Sequence, residues 1–132
     1  MLIIQFSFST DTFSSSETSK YIVPLLKFIS PNISAEALEF WHHVIRKASH
    51  VTEYLIQGML VYRAFHLDVA KLAKVRIYSV VFIASTALVD EFHQSFVPSR
   101  GSSLIDVGYD CAGGLIALVL LWCWNTLRRE ER

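Results

Sequence analysis

The chain has 132 residues, enough for one domain at most. Its 52% hydrophobic and 18% charged residues lean towards a small membrane protein, although soluble domains themselves average about 45–50% apolar residues. Twelve acidic and twelve basic residues balance to zero net charge, which argues against a nucleic-acid partner.

Met1–Ser9 holds a short apolar run without a basic lead-in or a small-residue cleavage site, so it does not read as a signal peptide. It is also too short to cross a bilayer. Ser7–Lys20 is rich in Ser and Thr and reads as an exposed linker. Tyr21–Ile29, which contains Pro24 and is followed by Ser30-Pro31-Asn32, reads as an interfacial patch. Residues 1–33 are therefore expected to precede a main domain of residues 34–132. Ser34 has the character of a helix cap, with Glu36 in the first turn. From Ala35 to about Lys47, Leu38, Trp41, Val44 and Ile45 form an apolar stripe beside Glu39, His42, His43 and Arg46. That is the pattern of an amphipathic helix lying at a membrane surface.

Three spans are expected next. The first, about Ala48 to Phe65, is interrupted by His50, Glu53, Gln57 and Arg63. The second, about Val75 to Phe92, has an uncharged centre of thirteen residues, Ile77–Val89. The third, about Ile105 to Leu127, has seventeen uncharged residues after Asp110. Only the third reaches the usual ~20-residue length without help; polar ends of the other two must face protein or water. Cys111 and Cys123 stand roughly 18 Å apart on that third helix by helix rise, beyond disulfide reach.

The bases set an orientation. Lys71, Lys74 and Arg76 cluster between the first two spans, and Arg128, Arg129 and Arg132 close the chain, whereas Gln94–Leu104 holds only Arg100. The positive-inside rule then places the Leu67–Lys74 loop and the C-terminus in the cytoplasm and the Pro98–Ser103 turn outside. His50 and Glu53, Asp90, Glu91 and Gln94, and Asp106 and Asp110 all fall at the same, outer, level. Helical spacing puts Lys47, His50, Glu53/Tyr54 and Gln57 on one face, Ser79, Ile83, Thr86, Asp90 and Gln94 on a second, and Asp106, Asp110, Gly113 and Ala117 on a third. Gly113, Gly114 and Ala117 would let a neighbouring helix approach closely.

These blocks carry a family resemblance. Lys47-Ala-Ser-His50-Val-Thr-Glu53-Tyr54, Asp90-Glu91-Phe-His-Gln94-Ser-Phe-Val-Pro98-Ser-Arg100 and Asp106-Val-Gly-Tyr-Asp110-Cys-Ala-Gly113 resemble the VanZ-like family of small bacterial membrane proteins. The likeness runs from about Trp41 to Ala117, with the motifs in the family's order and spacing. It implies an integral membrane helical protein; the family takes its name from a member that lowers susceptibility to teicoplanin-type glycopeptides. Members usually begin with a full spanning helix ending near Phe-Ser-Ser. Here only Leu2–Phe8 precedes the Ser-rich stretch, so a partial first helix is expected, and Val51 stands where an aromatic residue is common. The expected fold is thus an all-α membrane bundle of three spans, a partial N-terminal helix and an interfacial amphipathic helix.

Each polar block also has a plain structural role. His50 and Glu53 can tether two helices. Asp90 and Glu91 at a helix C-terminus oppose its dipole and need a cation, with Arg100 and Lys47 the nearest candidates. Asp106 suits the first turn of its helix, while Asp110, one turn deeper, is harder to assign to structure alone. Three functions compete. In the first, an outer polar pocket built from Lys47, His50, Glu53, Tyr54, Asp90, Glu91, Gln94, Arg100, Asp106 and Asp110 binds membrane lipid, a lipid-linked envelope precursor or a glycopeptide, and needs no cofactor. Arg100 would grip a phosphate or carboxylate. In the second, His50, Glu53, Asp90, Asp106 and Asp110 bind a divalent metal for head-group hydrolysis or transfer. In the third, the cluster is an interhelical latch in an assembly factor.

Overall fold

A computed structural model describes residues 15–68, 72–96 and 103–130. Every element among them is a helix: α1 (Ser15–Ile29), α2 (Ala35–Asp68), α3 (Leu72–Gln94) and α4 (Leu104–Glu130). Leu2–Phe8 and the Pro98–Arg100 part of the turn lie outside the described residues.

The Ser-rich stretch is not wholly a linker, because α1 already begins at Ser15. Tyr21, Leu25 and Phe28 follow the i, i+4, i+7 spacing of one helical face, and all three are exposed. Pro24 sits inside this helix, where it removes one backbone donor. The chain then turns at Ser30, whose carbonyl accepts from Ile33 N–H at 3.1 Å. Ser34 caps α2: its hydroxyl accepts from Ala37 N–H at 3.2 Å and its carbonyl from Leu38 N–H at 3.0 Å.

The surface helix and the first span are one element rather than two. Neither Gly nor Pro interrupts the chain around Lys47, and α2 runs on for 34 residues, about 51 Å by helix rise. Ser49 and Thr52 donate back to the carbonyls of Ile45 and Ala48, bonds made within the continuing helix. Among the described residues two helices, α3 and α4, are long and apolar enough to cross a membrane, not three. α2 falls short because His50, Glu53, Gln57 and Arg63 interrupt its apolar residues, and most of these polar groups turn into the bundle.

Burial is inverted relative to a soluble domain. Ile77, Val81 and Leu88 of α3 and Val119, Leu120 and Trp124 of α4 are exposed, while Gln57, Ser79, Asp90, Gln94, Asp106 and Asp110 are buried. An apolar exterior of this extent needs a lipid or protein neighbour. The core comprises Tyr54, Tyr62, Val75, Ile83, Ala87 and Leu118. Asn125 donates to the Tyr62 hydroxyl at 3.1 Å, and Phe65 meets Phe82 edge-on at 6.3 Å.

α2 packs most extensively on α4, and small residues make this crossing possible. A Cβ at Gly58 would come 2.9 Å from Ala117 Cβ and equally close to the Gly114 carbonyl. A Cβ at Gly113 would overlap the Val51 carbonyl, and one at Gly114 would press on Ile83 at 2.6 Å. Cys111 and Cys123 are both free thiols.

Candidate functional site

Three helices each deliver polar side chains to one region. α2 contributes Lys47, His50, Tyr54 and Gln57, α3 contributes Asp90, Glu91 and Gln94 from its C-terminal turns, and α4 contributes Asp106 and Asp110 from its first two turns. Successive residues on each helix are mostly three or four apart, so each set lies on one face. Tyr54, Gln57, Gln94 and Asp110 are almost completely withdrawn from solvent.

The acids divide their roles. Lys47 Nζ pairs with Asp106 Oδ1, tying α2 to the start of α4, and the same ammonium lies 5.4 Å from the centre of the Tyr109 ring. Lys47 is one of the two cations expected beside Asp90 and Glu91; its partner is Asp106 instead. The other, Arg100, lies outside the described residues. Glu91 solves its dipole problem through backbone: Oε1 accepts the N–H of Ser103, the residue preceding α4. A carboxylate that is unfavourable at the end of α3 is favourable at the beginning of α4. Ser103 completes the cap, its hydroxyl accepting from Ile105 N–H at 3.2 Å and its carbonyl from Asp106 N–H at 2.8 Å.

His50, Asp90 and Asp110 form the centre. Each presents a donor atom, and the three atoms lie within 4.8 Å of one another. His50 Nδ1 is 3.3 Å from Asp110 Oδ1, close but not aligned as a hydrogen bond. Gln94 Nε2 donates to Asp90 Oδ2 at 3.0 Å. Two ionised carboxylates at such a separation repel by about 3 kcal/mol at an effective dielectric of about 20. Neither Asp110 oxygen has a hydrogen-bond partner, and Glu91 Oε2, Gln94 Oε1, His50 Nδ1 and the Tyr54 hydroxyl are likewise unpartnered. Buried polar atoms are ordinarily satisfied, so this concentration of open acceptors sets the region apart.

Glu53 is half-buried and outside the three-donor set. Gln57 donates to Thr86 Oγ1 at 3.2 Å, a link between α2 and α3 one layer away from the acids. Sequence reasoning missed the Ser103 cap on Glu91 and the close approach at Gly58. A lone Gly inside a helix was the available signal for the latter.

Beside the acids runs a groove of about 360 Å³ lined by Glu91, Ser95 and Ser103 together with Leu88, Phe92 and Val107. The opposite end of the bundle is basic and aromatic. Arg76 lies over Trp122 at 5.4 Å, and Arg128 over Trp124 at 4.6 Å.

No curated protein and no solved structure matches the chain. A family profile described as VanZ/LLP1 matches residues 1–125, a stretch that includes all three polar blocks. The chain belongs to the VanZ/LLP1 family.

Proposed function

We propose that this VanZ-like membrane protein binds an amphiphilic or lipid-linked molecule at the outer face of the cell membrane and thereby alters susceptibility to teicoplanin-type glycopeptides. The observation that carries the reading is the groove beside Glu91. One wall is apolar, Leu88, Phe92 and Val107, and Glu91 adds a buried carboxylate oxygen without a donor. An acyl chain suits the wall, and a head group rich in hydroxyl or amide donors suits the acceptor. Arg100, between α3 and α4, is assigned to a phosphate or carboxylate of the same ligand.

The outward orientation rests on charge. Arg76 and Arg128, each against a tryptophan, lie at the end remote from the acids, as cytoplasmic bases and interfacial aromatic residues do. A latch would pair its own groups. Lys47 and Asp106 do so, but the open oxygens of Glu91 and Asp110 do not.

The test is the minimum inhibitory concentration of teicoplanin for a susceptible bacterium expressing the chain, against the same strain with empty vector. The expected result is a higher value with the chain. An unchanged value, with the protein present in the membrane, would overturn the proposal.

A further inference from the structure

We propose that His50, Asp90 and Asp110 form a binding site for a divalent transition-metal cation of the Mn²⁺ or Zn²⁺ kind. The three donors come from three different helices and lie within 4.8 Å of one another. Around an ion with bonds of about 2.1 Å, adjacent donors in a tetrahedron stand about 3.4 Å apart, and opposed donors in an octahedron about 4.2 Å. His50 Nδ1 and Asp110 Oδ1, at 3.3 Å, already have the spacing of adjacent ligands. A separation of 4.8 Å, the upper bound in the set, contracts by about 0.6 Å to reach the opposed octahedral spacing.

The open valences point the same way. Asp110 is fully buried, and both its oxygens lack a hydrogen-bond donor, as does His50 Nδ1 beside it. A cation satisfies all of these atoms at once, which a single hydrogen-bond donor does not. Gln94 holds Asp90 through a 3.0 Å bond from its amide nitrogen, the kind of support that fixes a ligating carboxylate. Its own Oε1, buried and unpartnered, is a further acceptor on the adjoining turn. Asp106 is excluded from the set because Lys47 neutralises it. One imidazole with two carboxylates favours a first-row dication over Ca²⁺ or Mg²⁺, which prefer oxygen alone.

The three donors are not among the residues that line the groove, and metal content reads the site whether or not the chain alters antibiotic susceptibility. Purified full-length protein in detergent is stripped with EDTA, incubated with MnCl₂ or ZnCl₂, desalted and analysed for metal. The expected result is about one ion per chain together with a raised melting temperature. Asp110→Asn abolishes retention, while Asp106→Asn keeps it. Should the Asp110 variant fail to fold, spin-echo modulation from a directly bound imidazole nitrogen on Mn²⁺ in the wild-type protein decides the matter. No retained ion, retention undiminished in a folded Asp110→Asn, or Mn²⁺ without the nitrogen signal would each overturn the proposal.

Discussion

His50 Nδ1 lies 3.3 Å from Asp110 Oδ1, joining the middle of α2 to the second turn of α4 beside a second buried acid, Asp90. The contact brings a charge into proximity without satisfying it, since both Asp110 oxygens remain without donors. Asp110→Asn should therefore relieve carboxylate repulsion in the metal-stripped protein. Its melting temperature is expected to hold or rise. A large fall on thermal denaturation would instead identify the acid as a structural latch.

The α2–α4 crossing makes a sharper packing prediction. Gly113→Ala places a methyl group against the Val51 carbonyl and should cost about 1–3 kcal/mol. Gly108, on the same helix, has open space where a methyl group would stand, with nothing within 4 Å. Gly108→Ala should therefore be neutral or gain about 0.5–1 kcal/mol. Thermal unfolding in one detergent compares the two directly; equal effects would contradict the packing.

The Lys47–Asp106 pair is accessible to a double-mutant cycle. With side chains only 17% and 5% exposed, each of Lys47→Met and Asp106→Asn leaves a partly buried partner unpaired. Each should cost more than the double variant implies, with a coupling of about 1–3 kcal/mol. Additive losses would show that the two groups act independently.

Glu91 is expected to matter through its acceptor rather than its charge. Glu91→Ala leaves the Ser103 N–H without its partner and should destabilise by about 1–2 kcal/mol. Glu91→Gln retains a carbonyl acceptor and should keep most of that stability. Equal losses in the two variants, read from melting temperatures, would count against the helix-cap role.

Much of the site was legible because helical periodicity assigns faces without any knowledge of the fold. Lys47, His50, Tyr54 and Gln57 fall on one stripe, as do Asp106, Asp110, Gly113 and Ala117, and most of these residues are buried. The continuity of α2 through Lys47 was not legible. The pattern changes at about Lys47, from an apolar stripe beside Glu39, His42, His43 and Arg46 to a more apolar run, and a change of pattern inside one unbroken helix reads as a boundary. The partner of Glu91 was missed for a related reason: a search for cations overlooks a backbone N–H. Gly58 is marked only as a lone glycine inside a helix; its approach to Gly114 and Ala117 depends on how α2 crosses α4.

Whether the buried acids serve function rather than assembly is decided by teicoplanin susceptibility in cells with matched membrane levels of wild-type protein and Asp110→Asn. The wild type should raise the inhibitory concentration, and the variant should return it to the empty-vector value. Full protection by the variant would refute a functional role for Asp110.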